Sequence, residues 1–212
     1  MEKDLVSIRD LNRDEFTSLL ENAVKIKKER NKGKFRKPLK DKVLAMIFEK
    51  PSLRTRVTFQ TGIFELGGTG IYLAPSDIKI GKRESVSDAA KNLSRWVAGI
   101  MARTFEHSTV TGLAENASVP VINGLSDLEH PCQILADFQT ILEHKGRIEG
   151  IKLAYIGDGN NVSHSLLLAS GIMGVNMRMA SPEGYRPDEN IVEEAREYAE
   201  KSGAEILLTN DA

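Results

Sequence analysis

A single cysteine, Cys132, stands in 212 residues. One thiol excludes an intrachain disulfide framework and fits a reducing compartment. Charge of one sign is also lacking: 29 basic side chains face 30 acidic ones, for a net charge of -1 and a pI near 6.5. No global field therefore favours nucleic acid or a membrane surface. No apolar run reaches membrane-spanning length, and the N-terminal MEKDLVSIRD has no apolar signal core. The expectation is a soluble, cytoplasmic protein. Internal repeats and low-complexity tracts are absent. What is present, 41% hydrophobic and 28% charged residues, suffices for one large domain or two small ones.

The periodicity switches between helix and strand along the chain. Asn12 and Glu15 are spaced as a capping box, with Leu11 and Phe16 as its hydrophobic staple. Phe16, Leu19, Leu20, Ala23 and Ile26 then predict one apolar helix face. The basic run KIKKERNKGKFRK that follows reads as a solvated helix end, because only Phe35 interleaves its charges. Strands are expected at KVLAMIF, GIYLA, GIMART and VPVING, alternating with helices, one of which carries Ser85 and Asp88 at capping spacing. A long helix closes at Gly146. A second series opens at KLAYIGD and ends on the strand AEILLT with no closing helix. The pattern predicts an α/β protein of two doubly wound parallel-sheet domains, the second incomplete. The short, polar HKGRIEGIK sets the expected division into 1–147 and 148–212. An open sheet normally continues past such a strand, so a chain truncated at its C-terminus is expected.

Three stretches carry chemistry. In PSLRTR, Ser52, Arg54 and Thr55 lie where a strand hands over to a helix. Free backbone N–H groups and the positive dipole end point there, and hydroxyls with a guanidinium complete a pocket for a phosphate or other compact dianion. In GIMARTF, Arg103 follows an apolar strand and is aimed at the same C-terminal sheet edge, where a cation is costly without an anion. In GLSDLEHPCQ, His130 and Gln133 flank a loop-to-helix junction. His130 can polarise a carbonyl oxygen, and the Gln133 amide can accept from an NH2 group. A metal site is not expected, since His107, His144 and His164 lack ligand spacing to Cys132. Nor does Cys132 have the context of a nucleophile. Each stretch also has a plainer reading: a surface helix start, a salt-bridged arginine, a capping histidine.

Together S-x-R-T-R, M-x-R-T and H-P-C-Q resemble the carbamoyltransferase family. VINGLSDLEHPCQ, DIKIGKRES and AYIGDGNNVSHS are most similar to its ornithine-acting members. The resemblance runs from about residue 5 to the end. It implies that Ser52, Leu53, Arg54, Thr55, Arg103, His130 and Gln133 bind carbamoyl phosphate, Leu53 through its backbone N–H. Arg54, Arg103 and His130 would be catalytic. The loop SDIKIGKRES resembles one that reaches a neighbouring subunit's site in the family's trimer. There Lys79, which the resemblance adds to the carbamoyl phosphate contacts, stands where several members carry glutamine. Arg56 is expected to hold the loop. The partners implied are carbamoyl phosphate and L-ornithine in a homotrimer or a multiple of it, with no nucleic acid or membrane.

Gly157-Asp158-Gly159 mimics a dinucleotide fingerprint, but Val162 replaces the third glycine and no acidic residue ends the next strand. No cofactor is therefore expected. The resemblance assigns Asn161 to the amino acid's α-substituents, while Asn160 or Asn161 could instead cap the helix. Further ornithine contacts in the family come from an Asp-x-x-x-Ser-Met segment, an H-C-L-P loop and a late arginine, none of which occurs in this sequence. The implied reaction is carbamoyl transfer to ornithine, giving citrulline. The alternatives are another acceptor (putrescine, aspartate or N-acetylornithine) and a non-catalytic fragment that binds carbamoyl phosphate only.

Overall fold

The structure, a computed structural model, describes residues 4–78, 80–81 and 83–211. The chain begins with a short 3-10 turn, Ile8–Asp10, closed by a capping box from Ser7. Helix α1 (Arg13–Asn31) follows. The Glu15 N–H donates to the Asn12 side chain at 2.9 Å, and the Asn12 N–H donates to the Glu15 carboxylate at 3.0 Å. The expected box is thus made. Its apolar face is narrower than predicted: Phe16 and Leu20 are buried, whereas Leu19 and Ile26 are exposed.

Four parallel strands form the first sheet, β1 (Val43–Phe48), β2 (Thr69–Leu73), β3 (Gly99–Arg103) and β4 (Val121–Leu125), in the order β2-β1-β3-β4. β1 is apolar throughout because both its faces are covered. Ala45 and Ile47 join Ile100, Ala102 and Leu113 in one cluster. Leu44, Met46 and Phe48 alternate to the other side, with Ile63 and Met101. Helices α2 (Leu53–Glu65), α3 (Pro75–Ile78), α4 (Val86–Leu93) and α5 (His107–Asn116) lie between or after these strands. Ser85 caps α4 by accepting from the Asp88 N–H at 3.0 Å.

A second sheet of three parallel strands, β5 (Lys152–Ile156), β6 (Asn176–Ala180) and β7 (Ile206–Thr209), is accompanied by α6 (Pro131–Lys145), α7 (Asn161–Met173) and α8 (Glu189–Ser202). α7 is buried from Ser163 to Met173. Gly171 permits the approach of α8, since a Cβ there would stand 2.4 Å from the Ala195 carbonyl oxygen. Met177 and Met179 are buried on one face of β6, whereas Ala154, Arg178 and Leu207 sit in register on the other, open to solvent.

Contacts group the chain into two compact units, residues up to Val6 with Lys27–Asp127, and Ser7–Ile26 with Leu128 onward. This division falls after Asp127, while the division read from sequence falls after residue 147. α6 is the element concerned, together with the start of α1. Phe16 meets Phe138 edge to face, with centroids 5.3 Å apart, and that contact ties α1 and α6 into the second unit.

Candidate anion-binding site

In the first unit, β1 ends at Phe48, and four residues later the chain enters α2. Ser52 is the N-cap; its hydroxyl accepts from the Thr55 N–H at 3.3 Å and contacts Thr55 Oγ1 at 3.0 Å. No acidic residue occupies the first turn of α2, so its positive end is uncompensated. Leu53 stands at the first helical position with its side chain 81% exposed, which leaves its backbone N–H as the useful group. Arg54 is exposed. Arg56 stacks on the Tyr72 ring with its guanidinium carbon 3.8 Å from the centroid, bracing α2 against β2.

Arg103 reaches this helix end because it ends β3, opposite Phe48 of β1. The β3–β4 register shifts between Ala102 and Arg103, so Arg103 pairs with Leu125 and Gly124 is the extra residue. Such a bulge re-aims the side chain at the end of a strand. Arg103 Nη1 donates to Thr55 Oγ1 at 3.4 Å. Its Nε is buried and lacks a hydrogen-bond partner among the described residues. Burial first, and the Arg54 charge second, lower the Arg103 pKa. Among the described residues no carboxylate pairs with Arg54 or Arg103. The plain reading of Arg103 as half of a salt bridge finds no partner among the described residues.

Sequence reasoning passed over Lys50, which stands two residues past the end of β1 and precedes the motif. Its ammonium lies 4.9 Å from the Phe105 ring centroid, and burial followed by the Arg103 charge lowers its pKa, against Asp127 and Glu49. Three cations, two hydroxyls and a helix N-terminus thus share one sheet edge. Two adjacent guanidiniums without a counter-ion are what a dianion would neutralise.

The remaining candidates belong to the second unit. His130 is the N-cap residue of α6, without a side-chain cap, and its backbone N–H donates to Ser165 Oγ at 3.0 Å. Pro131 occupies the first turn, where a missing N–H costs nothing. Gln133 is exposed; its NH2 donates to Asp137 at 2.9 Å, which turns the amide into an acceptor through Oε1. Cys132 is half-buried, and desolvation pushes its thiol up to about 12, which disfavours the thiolate a nucleophile needs. Of the two asparagines, Asn160 is the cap, accepting from the Val162 and Ser163 N–H groups at 2.9 and 3.2 Å, and Asn161 is the first helical residue. A Cβ on Gly159 would stand 2.1 Å from the Pro187 nitrogen, so this glycine accommodates the protein's own backbone. His164 packs inside, between the Leu128 carbonyl at 2.9 Å and the Asp188 N–H at 3.0 Å. Lys79 lies outside the described residues. Among the described residues, no group of three or more His, Cys, Asp and Glu side chains could hold a metal ion, and no helix is long and apolar enough to cross a membrane.

Fold and site together define a parallel α/β protein with cations gathered at the C-terminal ends of its strands. Comparison with known proteins narrows the class. Residues 3–143 match the aspartate/ornithine carbamoyltransferase carbamoyl-P binding domain, and residues 149–212 match the Asp/Orn binding domain of the same family. The ornithine carbamoyltransferase of Anoxybacillus flavithermus is 50% identical over 99% of this chain and 67% of its own length. That of Thermococcus kodakarensis is likewise 50% identical, with 66% of its length covered. The solved ornithine carbamoyltransferase from Pyrococcus furiosus superposes with a TM-score of 0.98 at 46% identity, over 99% of this chain and 67% of that one. The chain belongs to the aspartate/ornithine carbamoyltransferase family. It spans about two thirds of the length of these relatives.

Proposed function

We propose that this chain binds carbamoyl phosphate and serves carbamoyl transfer to the δ-amine of L-ornithine, giving L-citrulline and phosphate. The observation that carries the reading is Arg103, a desolvated cation beside Arg54 that has, among the described residues, no partner for its buried Nε and no paired carboxylate. The phosphate is held by Ser52, the Leu53 N–H, Arg54, Thr55 and Arg103. His130 and Gln133 take the carbamoyl oxygen and NH2 group, Asn161 takes the α-substituents of ornithine, and Lys79 approaches from a neighbouring subunit. The neutral amine attacks the carbamoyl carbon and a tetrahedral oxyanion forms. The C–O bond to phosphate then breaks, and the amine proton is lost. Arg54 and Arg103 take up charge as phosphate departs, while Arg103, Thr55 and His130 stabilise the oxyanion. Each preorganised donor contributes roughly 3–4 kcal/mol, and alignment of the substrates supplies much of the rest.

In this reading residues 1–147 form the carbamoyl phosphate part and 148–212 the beginning of the ornithine part. The protein is cytoplasmic, serves arginine biosynthesis and assembles as a homotrimer or a multiple of it. The exposed stripe of Leu53, Val57 and Phe64 on α2 supports an assembly surface there. A second reading is binding of carbamoyl phosphate without turnover; the chain spans about two thirds of the length of the relatives it matches. Calorimetry with carbamoyl phosphate and with phosphate, beside an assay for citrulline, tests both. Turnover supports the first reading, and binding alone supports the second. Arg54→Ala should abolish binding with little change in melting. Unchanged affinity in that variant would show the anion pocket to be misassigned.

A further inference from the structure

Glu129, the residue before the H-P-C-Q turn, is fully buried. Its Oε1 accepts from Ser7 Oγ at 2.5 Å and Arg9 Nη1 at 3.0 Å; its Oε2 accepts from the Ile8 N–H at 3.0 Å and Ser165 Oγ at 3.1 Å. All four partners are donors. The Ser7 oxygen already accepts from the Arg9 N–H at 3.1 Å, so its proton goes to Glu129. The Ser165 oxygen accepts from the His130 N–H at 3.0 Å, so its proton goes to Glu129 as well. A hydroxyl has one proton, and the carboxylate therefore decides where both hydroxyls point. Arg9 extends the chain through Nε to Glu194 of α8 at 2.6 Å.

We infer that Glu129 is a positioning residue for His130. Acting through Ser165, it fixes the His130 backbone at the start of α6, and with it the direction in which the imidazole leaves the chain. The α6 N-terminus would otherwise have an uncommitted N–H at this residue, which has no side-chain cap. Only an all-acceptor group serves here. A glutamine amide of the same shape would set its NH2 against at least one of four donors. This rests on the proposed role of His130 at the carbamoyl oxygen, so its test must separate carbamoyl recognition from phosphate recognition.

The measurement is calorimetry on the 212-residue chain with two probes. One is inorganic phosphate. The other is a carbamoyl phosphate analogue in which a methylene replaces the ester oxygen, so that the carbonyl and NH2 groups remain. Glu129→Gln should weaken the analogue about tenfold, the size of one mispositioned hydrogen bond, and leave inorganic phosphate within about twofold. Ser165→Ala, a milder change that removes the same link, should shift the two probes the same way. Equal weakening of both probes, or of neither, in a variant that still melts cooperatively would overturn the positioning role. A wild-type chain that binds neither probe would instead sink the anion site itself, and this inference with it.

Discussion

Removing Arg103 should stabilise the unliganded protein and abolish its response to phosphate. Arg103→Met keeps an unbranched stem and deletes a cation that burial and Arg54 both disfavour. The sign follows from linkage: a base with a lowered pKa holds its proton less well folded than unfolded, so its charge opposes folding. A buried, unsatisfied donor such as Nε costs roughly 1–3 kcal/mol. The remainder of the side chain is half-exposed and screened, which reduces the gain on removal to about 1 kcal/mol. In a chain of this length that raises Tm by about 2–4 °C. Phosphate at a hundred times its Kd should add about 2.7 kcal/mol to the wild type. It should add nothing measurable to the variant. Thermal melting of both proteins with and without phosphate reads all four states. A variant that melts below the wild type and still gains stability from phosphate would refute the reasoning.

Two further outcomes are expected. Cys132, with its thiol pushed up to about 12 by burial, should have a thiolate fraction of about one in ten thousand at pH 8. Alkylation of the folded chain should stay slow until the pH passes about 11, and stability should fall as pH rises above about 8.5, where the unfolded thiol ionises first; rapid labelling at pH 8 with the fold intact would contradict the burial. Ile156, 73% exposed on the open face of the second sheet, and Leu207 beside Arg178 should drive self-association of the isolated chain. Ile156→Lys should lower light scattering and dye binding while changing stability by no more than about 0.5 kcal/mol, and unaltered scattering would place the contact elsewhere.

Much of the site was legible because its logic is local. Ser52 and Thr55 are a cap and its third helical residue, and an apolar run ending in Arg103 announces a cation at a strand's C-terminal edge. Asn12, Ser85 and Gly146 marked helix ends correctly, since caps are made within a few residues. Leu53 is exposed at the first helical position of α2, so what it offers a ligand is its backbone N–H. The exposed Leu19 and Ile26 show the limit of periodicity, which finds an apolar face but not whether anything covers it.

The sequence by itself determined the alternation of strand and helix, the two parallel sheets and the family. Each depends on short-range period, capping and motif spacing. Tertiary structure alone decided what Arg103 faces, because that needed the bulge at Gly124 and the absence, among the described residues, of a carboxylate paired with it. It also brought Glu129 to its donors. Its partner Ser7 lies 122 positions away, and a charge meets its hydrogen-bond donors only once the chain has folded.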